Sequence, residues 1–190
     1  MIRKLIILCA IISLNGCAGL FIAGAATTAN LMTDTRTAKD IWQDNQNELD
    51  IASIGDQAAY KDKVRVVATS YDGNVVLMGQ APTQALSHSF EQQARQIKSI
   101  KNLYNEVKLK APITMQQRNT DSWITTKVKS ALLTDRQLST IKIKVITEDS
   151  DVFLFGYVTS EQANKAADIA RNIAGVKRVI KAFQYGQAKH

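Results

Sequence analysis

Val152-Phe153-Leu154-Phe155-Gly156 and Val75-Val76-Leu77-Met78-Gly79 are two apolar runs that each stop at a glycine. Laying Gly156 on Gly79 brings the surrounding sequence into register, so the chain contains an internal repeat. Upstream, Ile141-Lys142-Ile143-Lys144-Val145 and Val64 to Ser70 alternate apolar with polar residues, the period of a half-buried strand. Asp72-Gly73-Asn74 and Glu148 to Asp151 stand between the paired runs and supply the turn chemistry of a tight hairpin. Downstream, Gln84 to Lys98 and Ser160 to Ala174 are helical segments. The second places Ala163, Ala166, Ala167, Ile169, Ala170 and Ile173 at helical spacing, with Ser160 and Gln162-Ala163 as its cap region. Asn102 to Lys108 and Lys177 to Tyr185 close each half with a third strand.

With a leading helix before each hairpin, the order is α-β-β-α-β, twice. The expected fold is α+β: two tandem domains, each a three-stranded mixed sheet packed against two helices. A unit of roughly 60 to 70 residues buries a modest core, so two packed together are more stable than either alone. Gly79 and Gly156 are expected to be structural, because a strand-end glycine usually sits where a side chain would clash or φ must be positive. Pro112 withholds a ladder donor, so Ala111 to Arg118 reads as a linker, and Asn119 to Ser122 marks a boundary. The leading helix of the first half lies within Ile41 to Gln57.

The amino terminus carries a different signal. Arg3 and Lys4 precede an apolar run, Leu5 to Ser13, too short to span a bilayer but the right size for a signal-peptide core. Leu14-Asn15-Gly16-Cys17 resembles the bacterial lipobox. That resemblance implies cleavage before Cys17, which then carries a diacylglycerol and an amide-linked fatty acid, more than the two signals a stable anchor needs. Ala18 follows the cysteine in place of the Asp associated with inner-membrane retention, which implies the periplasmic face of the outer membrane. Read instead as an uncleaved helix, Leu5 to Ala26 would also anchor the chain. Loss of the signal discards Cys9 and leaves Cys17 alone, so no intramolecular disulfide forms. It also lowers the net charge of +7 by two, and the remaining basic excess favours an anionic surface. Nucleic acid is not an expected partner in that compartment.

The two glycine-terminated strands, with Ile173-Ala174-Gly175-Val176-Lys177-Arg178-Val179, are similar to tandem BON domains. Asp121-Ser122-Trp123-Ile124-Thr125-Thr126-Lys127-Val128-Lys129-Ser130 resembles the dual-BON outer-membrane lipoproteins over nearly all of the mature chain. The expected layout is a signal peptide over 1–16, a lipidated terminus and tether over 17–39, a first BON domain over 40–111, a linker over 112–119 and a second BON domain over 120–188.

Catalysis finds little support in the sequence. The only histidines are His88, in a polar helical stretch, and His190, the last residue. No H-E-x-x-H, G-x-S-x-G or Gly-rich phosphate loop occurs, so neither an enzyme activity nor a cofactor is expected. Glu148, Asp149 and Asp151 could meet a hard cation, but they sit at a hairpin turn and lack the glycine and distal Glu of a calcium loop, so no metal site is expected.

The helix Trp123 to Leu133 has a wheel with more than one apolar face. Ile124, Val128, Ala131 and Leu132 cluster on the core side. Trp123 and Leu133 fall outside it, with Lys127 near Trp123, Lys129 near Leu133 and Arg136 just beyond the helix end. An apolar surface flanked by cations suits a membrane interface. A tryptophan at a domain boundary equally suits the seam between domains. The resemblance favours the first, since it implies that the leading helix of the second BON domain contacts anionic phospholipid. The matching positions are Trp123, Lys127, Val128, Lys129 and Leu133, although the wheel turns Val128 inward.

The expected function is a non-enzymatic lipoprotein that binds anionic phospholipid and supports outer-membrane integrity. The resemblance adds the division site and a link to outer-membrane protein assembly machinery. The competing reading is a periplasmic interaction scaffold in which only the acyl anchor meets lipid. The first domain is expected to be structural and to lack a lipid-facing equivalent.

Overall fold

The computed structural model describes residues 36–186. The signal segment, Cys17 and the tether up to residue 35 lie outside the described residues, as do residues 187–190.

Helix α1 (Ala38–Gly55) starts at Thr37. The Thr37 hydroxyl accepts from the Asp40 amide while the Asp40 carboxylate accepts from the Thr37 amide, a reciprocal capping box. Strands β1 (Arg65–Tyr71) and β2 (Asn74–Ala81) pair antiparallel. Their two-residue turn, Asp72 and Gly73, has positive φ at both positions, the geometry that matches the twist of a hairpin. Helix α2 (Gln84–Ala94) then crosses the sheet, which lets β3 (Asn102–Leu109) lie parallel to β2.

The second half repeats this order with α3 (Met115–Thr134), β4 (Lys144–Glu148), β5 (Asp151–Val158), α4 (Ser160–Arg171) and β6 (Arg178–Tyr185). The sheets run β1-β2-β3 and β4-β5-β6, each mixed, so the expected α-β-β-α-β repeat is the observed one.

Several boundaries differ from the sequence reading: β4 begins at Lys144 where a strand is expected from Ile141, α2 ends at Ala94 short of Lys98, and α4 at Arg171 short of Ala174. The expected linker over 112–119 is largely helix, because Thr114 and Gln117 form a capping box that starts α3 at Met115. Asn119 to Ser122 therefore lie inside the helix. Their hydroxyls are satisfied there: Thr120 Oγ1 donates to the Gln116 carbonyl at 3.1 Å and Ser122 Oγ to that of Arg118 at 3.0 Å. At α4 the cap is Thr159, one residue before the expected Ser160. At α1 the cap at Thr37 starts the helix within the stretch assigned to the tether.

Each leading helix also latches its own hairpin. Asp44 in α1 accepts from the amides of Asp72 and Gly73 at 2.8 and 2.9 Å, and Asp121 in α3 accepts from Asp149 and Ser150, both at 2.8 Å. Gly79 and Gly156 are spaces for backbone. At φ 131° a Cβ on Gly79 would stand 1.9 Å from the Arg65 carbonyl oxygen, and one on Gly156 would stand 2.8 Å from that of Lys142.

Both faces of each sheet are covered. On the helix side, Ile51, Tyr60, Val75, Leu77 and Phe90 form one core and Ile124, Val128, Val152, Leu154 and Ala166 another. The opposite faces meet each other: Tyr71, Val76 and Met78 pack against Phe153 and Phe155 in a third core. The domains are thus stacked sheet on sheet, with the helices outside.

Charge seals the rim of this seam. The Glu148 carboxylate accepts both a bidentate pair from Arg65, at 3.0 and 3.1 Å, and a bond from buried Gln80 at 2.9 Å. Lys108 reaches Asp149 at 3.0 Å and Asp151 at 2.8 Å, and Lys110 reaches Asp149 at 3.1 Å. The acidic hairpin is therefore the partner of the basic end of the first sheet.

Burial pushes the Asp149 carboxyl up, but hydrogen bonds from Lys108 and Lys110 outweigh it and hold the group below the ordinary carboxylate range. A depressed carboxyl contributes stability that is present above its unfolded value of about 3.9 and is lost as pH falls through the folded value. Asp121 is raised, by burial and by the charges of Glu148 and Asp149 against its two amide donors, so its contribution has the opposite sign. Lys108→Met, Lys110→Met removes both cations that depress Asp149, while Asp151, which also loses Lys108, keeps Arg178. The variant should show a flatter fall in Tm between pH 5 and pH 3 than the parent; parallel curves would refute the role given to these lysines.

Candidate membrane-binding site

Helix α3 is held from beneath by Ile124, Val128 and Leu132, all buried. The Thr125 hydroxyl donates to that of Thr147 at 2.7 Å and pins its flank to β4. What remains outside is an apolar surface on a basic helix. Trp123 is 64% exposed, Leu133 54% and Met115 64%, and Lys129 and Arg136 are exposed beside them. Lys127 is half-buried and donates to the Ala174 carbonyl at 2.7 Å, which fixes its ammonium at the edge of the helix.

Of the six expected contact residues, Trp123, Lys127, Lys129, Leu133 and Arg136 reach the surface. Val128 does not. Its side chain is fully buried in the second core, so it supports the helix and cannot touch a bilayer. Trp123 is not in the seam either, which belongs to the inter-sheet core. Met115, in the stretch expected to be a linker, joins the exposed apolar residues of this helix. The capping pattern Thr114-x-x-Gln117 was the available signal.

The first domain has exposed apolar residues of its own. Helix α1 exposes Trp42 and Leu49, seven residues apart on one face, at 60% and 61%. The electrostatics separate the two helices. Within α1, Lys39 stands against Asp40, Asp44, Glu48 and Asp50, whereas within α3, Arg118, Lys127 and Lys129 stand against Asp121. Only α3 suits an anionic surface. Among the described residues no helix is long and apolar enough to cross a membrane.

Two stacked α-β-β-α-β units with one cationic, apolar-tipped leading helix define a class: the chain belongs to the BON-domain family, which matches residues 43–111 and 120–187. It is 40% identical over 186 residues to the outer membrane lipoprotein DolP of Haemophilus influenzae, covering 97% of this chain and 96% of that one. It is 38% identical over 155 residues to a 21 kDa hemolysin of Actinobacillus pleuropneumoniae, covering 81% and 80%. Among solved structures, CdsD, a structural protein of the type III secretion system of Chlamydia trachomatis, aligns with a TM-score of 0.30 at 15% identity over 77% of this chain and 65% of that one. By its kinship with DolP the chain is an outer-membrane lipoprotein.

Proposed function

We propose that this lipoprotein is a non-enzymatic envelope protein, tethered through Cys17 on the periplasmic face, whose second BON domain binds anionic phospholipid through α3. The observation that carries this reading is Trp123, exposed with Leu133 further along the same helix, whose other side is fully packed and whose charge is basic. Burying such side chains in the head-group region contributes about 1.5–3 kcal/mol each. Each nearby Lys or Arg adds roughly 1 kcal/mol at an anionic surface. Support of outer-membrane integrity at the division site is the cellular role that this contact would serve.

The chain from Ala18 to His190 retains every described residue and lacks the acyl anchor. It should pellet with phosphatidylglycerol liposomes and stay in solution with phosphatidylcholine liposomes. Trp123→Ala, Leu133→Ala should weaken pelleting at least tenfold while Tm stays within a few degrees. Unchanged pelleting by the folded variant would remove α3 from the contact.

A second reading has its own observation. Trp42 and Leu49 are exposed on an acidic helix, a surface suited to a protein and not to an anionic bilayer. It would make the first domain a docking face for a periplasmic partner such as the outer-membrane protein assembly machinery. Loss of envelope function in Trp42→Ala with liposome pelleting intact would favour this reading.

A further inference from the structure

Arg118, Ser122, Thr125 and Lys129 follow one another along the flank of α3 beside β4, at spacings of four, three and four residues. Such spacings place side chains on one face of a helix. They line a trough of about 250 Å³ that Arg65 and Thr147 close from the sheet side. Lys129 and Val145 also belong to an adjoining cleft of about 190 Å³, walled by Leu132, Leu133, Leu138, Ile141 and Ile143. The two share Lys129 and Val145 in their walls and are taken together as a groove, with Arg65, Arg118 and Lys129 against Asp121 and Glu148 toward the start of α3 and apolar walls toward its end.

The charges in the groove are unequal in their availability. Glu148 already accepts from Arg65 and Gln80, and Asp121 from two backbone amides. Among the described residues, neither the Arg118 guanidinium nor the Lys129 ammonium has a protein partner, and Arg118 Nε is buried without an acceptor. Arg118 and Lys129 thus line the trough as two cations with no protein partner, a charge that suits an anion at this end. The other end is larger than the roughly 150 Å³ apolar cavity that suffices to bind benzene. A ligand that satisfies both is anionic at one end and hydrocarbon at the other.

We infer that this groove holds a single anionic phospholipid, its phosphate between Arg118 and Lys129 and part of one acyl chain among Leu133, Leu138, Ile141 and Ile143. The inference rests on the membrane reading above and deepens it: α3 takes one lipid partly out of the leaflet as well as lying on its surface. Arg118, absent from the expected contact set, becomes the head-group ligand.

The test uses the chain from Ala18 and octanoyl lysophosphatidylglycerol kept below its micelle-forming concentration, followed by calorimetry. Saturable one-to-one binding is expected, weakened about tenfold by Arg118→Gln, the scale of one charge-assisted hydrogen bond. Ile143→Trp should fill the apolar end and abolish binding of the monomer, while pelleting with phosphatidylglycerol liposomes persists through Trp123. If Ile143→Trp fails to fold, Lys129→Gln takes its place and must also weaken monomer binding. No monomer binding alongside intact liposome pelleting would overturn the groove and leave the membrane contact standing. Failure of both assays would overturn the membrane reading as well. Equal affinity for octanoyl lysophosphatidylcholine would overturn the phosphate assignment.

Discussion

Phe155→Ala should lower Tm by on the order of 10 °C, although it touches no proposed ligand. Phe155 is 1% exposed and sits with Phe153, Tyr71, Val76 and Met78 between the sheets. Truncating a buried Phe costs about 3–5 kcal/mol, from lost burial and from the cavity left behind. For a cooperative unit of this size each kcal/mol moves Tm by about 2–4 °C. The distinctive result is where the damage falls. Because the side chain belongs to the second domain but packs on the first, hydrogen exchange should speed up on β2 as well as on β5. Faster exchange confined to the second domain would mean that the inter-sheet core does not couple the two.

Gly79→Ala should be of similar size, and clearly worse than Gly156→Ala. Both positions have positive φ, but the new Cβ meets a backbone oxygen at 1.9 Å in the first case and at 2.8 Å in the second. A strained backbone conformation costs about 1–3 kcal/mol. Overpacking adds about 1–3 kcal/mol more where the neighbour is unable to swing away. The oxygen belongs to Arg65, which also grips Glu148, so a shift of β1 would loosen the seam. Thermal melts of the two variants side by side decide the matter, and equal losses would refute the steric account.

The repeat was legible because its signals are local. A two-residue turn, an apolar run and a glycine recur at one offset, and each has a cause within a few residues of itself. The seam was less legible because its partners are far apart in sequence. Nothing near Glu148 announces Arg65 or Gln80. One signal was present all the same: Val75 to Met78 and Val152 to Phe155 are apolar at four successive positions, and a strand apolar on both faces is buried on both. Likewise, the wheel of α3 separated Trp123 and Leu133 from the core, but it stopped short of Arg118. The capping pair that extends the helix to Met115 lies in a stretch that Pro112 makes look like a linker, and that hides the beginning of the groove.

The four outer strands have a further consequence. Stacking the sheets leaves β1, β3, β4 and β6 as edges, and an edge strand offers its free amides and carbonyls to any neighbouring chain. A lipoprotein confined to the plane of a membrane meets its own copies far more often than a molecule diffusing in bulk. Charged side chains stand along these edges: Arg65 on β1, Glu106 and Lys108 on β3, Lys144 on β4, Arg178 and Lys181 on β6. Several are committed to partners in the opposite domain, Lys108 to Asp151 and Lys144 to Glu48 among them. Charges along an edge disfavour the approach of another strand, and here their partners in the opposite domain hold them in place, so the same ion pairs that seal the seam also guard the edges in a crowded leaflet.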